Sequence, residues 1–297
     1  MYSSYILSIG ALKKVKTNLD VPDNAADTNA AIASYTSIIL LANPGHQTAL
    51  NMRKKLVVSG YLSPRDELEF TRSLLSLKQC SKVSILWHHR RMMLFCLLSE
   101  NGLTDEQFVT IPLGIDQLKK EFSIALSACV TYPRNYFAWN HRSLCMLCCA
   151  SQARTSPAHA ELLKEEKKNM KDWINAHISD HSAMYYICRL FDILRSQADQ
   201  STRQQLINEQ NEHVLELLQR YPSHESLWLY LRRSVLSSGF GIPGQNLGHL
   251  DKDIQMVIET AIPNDKILEA THTVQHALVF LAWVNKTVSL LVRCAEF

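Results

Sequence analysis

Tyr132-Pro133-Arg134-Asn135-Tyr136-Phe137-Ala138-Trp139-Asn140-His141-Arg142 reads as the end of one helix, a proline-containing turn and the start of a second helix. A Trp, a polar residue and an Arg stand at a position W and at W+1 and W+3. The same grammar returns upstream as Ile85-Leu86-Trp87-His88-His89-Arg90, and more weakly as Thr48-Ala49-Leu50-Asn51-Met52-Arg53, with Leu50 in the Trp place. Downstream it recurs as Ser182-Ala183-Met184-Tyr185-Tyr186 and Ser226-Leu227-Trp228-Leu229-Tyr230. The anchors 50, 87, 139, 184 and 228 are separated by 37, 52, 45 and 44 residues. Recurrence at roughly 20–50 residues marks stacked supersecondary units, each too small to bury its own apolar face. The pattern predicts an all-α solenoid of helix pairs.

Composition agrees with that reading. Hydrophobic residues make up 46% of the 297 residues, and nine Gly and nine Pro suit long helices better than a many-turned β fold. A formal net charge of +3, with no basic stripe beyond Lys13, Lys14 and Lys16, gives no reason to expect a nucleic-acid partner. Met1 to Tyr5 lacks the charged and apolar regions of a secretory leader. No uninterrupted apolar run reaches about 18 residues, so no membrane span is predicted. The nearest candidate, Ala277 to Val292, is interrupted by Asn285, Lys286, Thr287 and Ser289 and reads as a buried helix. The eight Cys residues at 80, 96, 129, 145, 148, 149, 188 and 294 fall mostly in apolar helical patterns, where Cys acts as a small hydrophobe. A reducing, cytoplasmic setting is expected.

Three regions follow along the chain: an N-terminal segment 1–27, a helical-pair repeat domain 28–238 and a C-terminal helical cap 239–297. In the first, Tyr5, Ile6, Leu7 and Ile9 are compatible with helix or strand, and Asp27 or Thr28 is the expected N-cap of a helix 29–42. Asn43-Pro44-Gly45 stops that helix, and its partner runs from about Gln47 to Ser59. Ser63, Pro64 and the acidic pair Asp66-Glu67 form a strong start signal for the next pair. Asn101 to Pro112 reads as a loop, with or without a short helix. Lys164-Glu165-Glu166-Lys167-Lys168, in a helix 162–178, reads as a solvated face supported by i,i+4 ion pairs. A fifth pair covers 204–221 and 223–237, and helices 251–262 and 266–293 close the chain.

The repeat residues Leu50, Arg53, Trp87, Arg90, Trp139, Asn140, Arg142, Met184 and Trp228 are expected to be architectural. A large ring one turn into the second helix fills the gap between pairs, and burying it is worth about 1.5–3 kcal/mol. Arg53, Arg90 and Arg142, nearly one turn on, can reach carbonyls or carboxylates of the adjoining turn. His88 and His89 are adjacent, so they diverge by about 100° on a helix. With no HExxH or paired Cys-His spacing, no metal site is predicted in the chain. His88, His89 and His141 are instead assigned to structure or to a partner interface. Cys145, Cys148 and Cys149 read as core. No nucleophile elbow, Gly-rich phosphate loop or paired-carboxylate motif is visible, so the chain alone does not read as a self-sufficient enzyme.

Pro133 to Arg142 and Trp87-His88-His89-Arg90-Arg91 closely resemble the repeat of protein prenyltransferase α subunits, of the form P-(K/R)-N-Y-x-x-W-x-x-R. The resemblance covers roughly residues 28–238 and extends to the turns around Asp180-His181-Ser182 and Ser223-His224-Glu225. It implies a right-handed superhelical crescent of antiparallel helix pairs, about five repeats long, wrapped around a β-subunit barrel. That β subunit would hold zinc, the isoprenoid pocket and most of the peptide site. The chain would then be the α subunit of a heterodimeric protein geranylgeranyltransferase, active only with a β subunit, one that Rab geranylgeranyltransferase could share. Geranylgeranyl diphosphate and a protein Cys would be the substrates. The resemblance places Arg134, where the family often has Lys, at the isoprenoid diphosphate, and Tyr136 beside it. Leu50 and Met184 depart from the repeat Trp, and Ile187 and Leu231 from the repeat Arg. The rival is a non-catalytic helical-repeat scaffold for another protein.

Overall fold

The computed structural model describes residues 2–17, 25–98, 108–237, 272–284 and 286, and every regular element among them is a helix. They are α1 (Tyr2–Thr17), α2 (Ala25–Ala42), α3 (Gln47–Val58), α4 (Pro64–Leu75), a single turn Lys78–Ser81, α5 (Ser84–Cys96), α6 (Ile115–Thr131), α7 (Tyr136–Ala153), α8 (Pro157–Ala176), α9 (His181–Gln197), α10 (Gln200–Arg220), α11 (Glu225–Ser237) and α12 (272–284). The chain divides into two compact units, Met1–Ala160 and Glu161–Phe297. Within the first, α2 packs on α3, α4 on α5 and α6 on α7; within the second, α10 and α11 both pack on α9 and on each other. Connections such as 43–46 and 132–135 are only four residues long, so helices that pack along their length must run antiparallel.

The helix starts explain why the anchors fall where they do. His46, Asn135 and Asp180 stand four residues before Leu50, Trp139 and Met184, and each side chain accepts from the backbone N–H three residues on, at 3.1, 3.2 and 3.1 Å. The cap fixes the first turn, and the anchor one turn later is carried inward. All five anchors are buried. The Trp87 and Trp228 indoles donate to carbonyls six residues back, Ser81 O at 2.8 Å and Pro222 O at 2.7 Å. The repeat therefore supplies its own partner for a buried N–H that would otherwise be costly.

Several boundaries differ from the sequence reading. The segment left open between helix and strand is α1, packed on α2. Helix α2 starts at Ala25, which puts Asp27 in its first turn rather than at the cap, a position the helix dipole also favours. The charged run in α8 is not one solvated face. Glu166 is buried and accepts from the Tyr186 hydroxyl at 2.5 Å, while Lys167 and Lys171 reach across to Glu209 on α10. Lys164 makes an exposed helical pair with Glu161 at i,i+3. In the C-terminal region, α12 packs Phe280 near Trp228, with ring centroids 6.0 Å apart. The expected helix 251–262 and Cys294 lie outside the described residues.

Arg134 is the described non-glycine residue with positive φ, at +58°. That left-handed geometry is the way the chain turns from α6 into α7, and it costs an L-residue roughly 1 kcal/mol or more. Arg134→Gly should therefore raise stability by about 0.5–1 kcal/mol after allowance for the freer unfolded chain. A drop in the denaturation midpoint would show that the Arg134 side chain makes a compensating contact.

Candidate functional site

Beneath the Trp139 repeat lies a line of buried charge. Arg53 on α3 donates to Glu67 on α4 through Nε and Nη2, at 2.8 and 2.6 Å, and to the Ala33 carbonyl and Ser37 hydroxyl on α2. His89 on α5 meets the same carboxylate at 2.9 Å. One repeat on, Arg90 donates to Glu121 on α6 at 2.7 and 2.8 Å, and to Leu68 O and the Thr71 hydroxyl on α4. His141 on α7 meets Glu121 at 2.9 Å. Each glutamate is thus held between the W+3 Arg of one repeat and the W+2 His of the next. In the second unit the W+2 residue is Tyr186, and its hydroxyl meets Glu166. Arg142 donates to the Phe122 carbonyl and lies over the Phe122 and Trp139 rings at 5.1 and 5.9 Å.

Burial alone would push the Glu121 carboxyl up, but Arg90 and the His141 hydrogen bond outweigh it and hold the group at about 2. Glu67 is likewise lowered against its own burial by His89 and Arg53. Burial drives His141 down, so it is neutral, donates to Glu121 from Nε2, and leaves a buried Nδ1 with no hydrogen-bond partner among the described residues. Its ring lies 5.0 Å from that of Trp87.

These contacts correct the partner-interface assignment of His89 and His141. Both are buried, because each is needed against a glutamate that could not stay charged in the core alone. His88 is exposed. The three glutamates were missed in the sequence. Their signal was a carboxylate on the apolar stripe of each first helix, 20, 18 and 18 residues before Trp87, Trp139 and Met184.

Above this core, the turn between α6 and α7 is pinned and its tip is exposed. Asn135 is fully buried and donates to Ser81 O at 2.7 Å, the carbonyl that also receives the Trp87 indole. Tyr132 accepts from Lys82 at 3.1 Å. Arg134 projects to solvent, and Tyr136 is 63% exposed. Beside them a cleft of about 310 Å³ is lined by Ile85, Trp87, His88 and Arg91 from α5 and by Tyr136, Phe137 and Asn140 from α7. Tyr136 and Asn140 thus share one wall, and Arg134 stands at its edge in sequence without lining it.

Three buried thiols are held in the protonated, poorly nucleophilic form. Burial pushes Cys145 well up, Cys148 to about 11 and Cys188 to about 12. Among the described residues no group of three or more His, Cys, Asp or Glu side chains could hold a metal ion. No described helix is long and apolar enough to cross a membrane.

A second buried histidine gives a pH test. His213 on α10 lies between Asn175 at 2.9 Å and the Tyr230 hydroxyl at 3.2 Å, and burial, with Lys171 nearby, lowers it to about 4. Below the ordinary value of 6.5 the unfolded chain takes a proton that the folded chain refuses. Its contribution is therefore complete above about pH 6.5 and is lost as pH falls towards 4, amounting to on the order of 3 kcal/mol. His213→Gln should flatten urea-denaturation stability across that window; an unchanged slope would place the titration elsewhere.

Residues 118–149, spanning the packed faces of α6 and α7 with the turn between them, match the family model for the protein prenyltransferase alpha subunit repeat. That segment carries the repeat of this family. It is 28% identical over 293 residues to protein prenyltransferase alpha subunit repeat-containing protein 1 of Homo sapiens, covering 81% of this chain and 71% of the relative. The Danio rerio protein of the same name is 28% identical over 236 residues, 68% of this chain and 54% of the relative, so the match spans about half of that protein. Geranylgeranyl transferase type-2 subunit alpha of Sus scrofa is 26% identical over 219 residues, 70% of this chain and 34% of the relative. The matched segment of the repeat contains Glu121, Arg134, Tyr136, Trp139, His141 and Arg142 together.

Proposed function

We propose that this repeat protein is the α subunit of a heterodimeric protein prenyltransferase that transfers a geranylgeranyl group to protein cysteines. The observation that carries the reading is the α6–α7 turn. It falls inside the matched repeat, is locked from below through Asn135, and holds Arg134 and Tyr136 out to solvent beside an aromatic and basic cleft. A rigid turn presenting a permanently charged guanidinium suits an anionic group delivered by a partner. The partner would be a β subunit, one that Rab geranylgeranyltransferase could share, with geranylgeranyl diphosphate and the acceptor protein bound in the complex.

In this reading the acceptor thiolate forms the S–C1 bond as the C1–O bond breaks, and diphosphate leaves with the electron pair. Zinc in the β subunit would supply the lowered thiol pKa. The contribution of this chain is electrostatic: Arg134 meets charge that grows on the departing diphosphate, and Tyr136 positions it. The free thiols of the described residues fit a reducing cytoplasmic setting.

Co-expression with prenyltransferase β subunits, followed by transfer of labelled geranylgeranyl and farnesyl groups, tests this. Arg134→Ala should leave the heterodimer intact and lower turnover by about 10²–10³-fold, as for loss of one transition-state donor, with partial recovery in Arg134→Lys. A stable heterodimer that turns over equally well with Ala at 134 would remove Arg134 from the reaction. If no β subunit binds, the chain is a helical-repeat scaffold for another protein.

A further inference from the structure

The residues one position after each anchor occupy the same place on every second helix, and they divide by chemistry. In the first unit they are Asn51, His88 and Asn140; in the second they are Tyr185 and Leu229, which are 57% and 45% exposed. Between α9 and α11, Tyr185, Leu229 and Leu236 wall a groove of about 350 Å³ whose floor is the buried Met184, Cys188 and Tyr230. The floor is buried, and burial pushes the Cys188 thiol up to about 12 and the Tyr230 hydroxyl well up, so both stay un-ionised.

The rim is basic. Arg232 and Arg233 line the groove and no acidic residue does. Arg232 is held over the Trp283 ring at 4.4 Å, which sets its position. Arg233 shares Asp192 with Arg195, at 3.3 and 2.6 Å, so two guanidinium groups face one carboxylate and a net positive charge remains. Large apolar walls around a buried floor select a large apolar side chain, and the basic rim selects carboxylates beside it.

We infer that the groove between α9 and α11 is a docking site for an acidic-flanked apolar segment of the partner subunit, with a large apolar side chain seated between Tyr185 and Leu229 and a carboxylate at Arg232 and Arg233. This rests on the α-subunit reading above and specifies the chemistry of the partner at one place.

The test uses the full chain co-expressed with a β subunit that it binds. Leu229→Glu places a carboxylate where the rim would already receive one, and should weaken the heterodimer at least tenfold. Val58→Glu, at an exposed apolar residue of α3, should leave affinity unchanged. Arg233→Glu should weaken binding and remove much of its salt dependence. Each variant is checked for an unaltered circular dichroism melt. A photo-crosslinking phenylalanine at position 229 should capture a β-subunit segment that carries a large apolar residue and a carboxylate within one helical turn.

If the heterodimer forms but Leu229→Glu binds as tightly as the parent chain, the groove inference is wrong and the α-subunit reading stands. Capture of residues 238–271 of the same chain, of a second copy, or of a basic β-subunit segment would also overturn it. If the parent chain binds no β subunit, both the reading and the inference fall.

Discussion

Glu121→Ala is expected to destabilise the first unit by about 3–5 kcal/mol, the cost of removing one partner from a buried ion pair. Glu121 is fully buried and joins α5, α6 and α7 through Arg90 and His141. Without it the Arg90 guanidinium keeps the Leu68 carbonyl and the Thr71 hydroxyl but has lost its countercharge, and the His141 Nε2–H loses its acceptor. Glu121→Gln keeps the shape and part of the hydrogen bonding, so it should fall between Ala and the parent. Urea denaturation followed by far-ultraviolet circular dichroism measures all three. A loss below about 1 kcal/mol for Ala would mean that water enters and resolvates Arg90. The same carboxylate sets an acid limit. Held at about 2 against an ordinary value of 4.5, it contributes fully above pH 4.5 and is lost as pH falls through 2. That window begins about two pH units below the one assigned to His213 and overlaps its lower end.

Trp87→Ala is expected to cost a similar 3–5 kcal/mol, for a different reason. The Trp87 ring is 1% exposed and fills the space against His141, and its removal leaves a cavity under the cleft wall shared with Tyr136. Ser81 O would not be orphaned, since Asn135 still donates to it. Most of the loss is therefore packing. Trp87→Phe separates the two contributions: it keeps an aromatic ring and gives up the indole hydrogen bond, and should cost about 1 kcal/mol beyond its smaller volume. If Phe proves as damaging as Ala, the hydrogen bond to Ser81 O governs the turn and the packing account fails. In a heterodimer assay Trp87→Ala should also lower turnover, because the ring lines the cleft together with Tyr136.

The sequence gives the W+3 Arg its reach towards an adjoining turn, and Arg53 and Arg90 do cross to the neighbouring helix pair. It does not show what they reach. Glu67 and Glu121 look like ordinary helix carboxylates until the first helix is rotated against its partner, and only then do they face inward. The sequence leaves His89 and His141 open between structure and a partner interface for the same reason: a His at W+2 is a surface residue or a core residue according to whether a carboxylate waits opposite. Arg134 illustrates the reverse case. Its residue type and its place before Asn-Tyr raise the expectation of an anion, whereas its left-handed φ and its exposure are legible in no residue pattern here.

Local chemistry alone determined that this chain is helical, where most second helices begin, and which five residues anchor the repeats. Caps, prolines and apolar periodicity act within one or two turns, and those interactions are written in neighbouring residues. Tertiary structure decided the rest: which charges are buried, which histidines are neutral, and that Tyr185 and Leu229 wall a groove whereas Trp87 and Trp139 lie in the core. These depend on contacts between residues tens of positions apart. Burial sets their energies through desolvation and countercharge, and neither is a property of the residue itself.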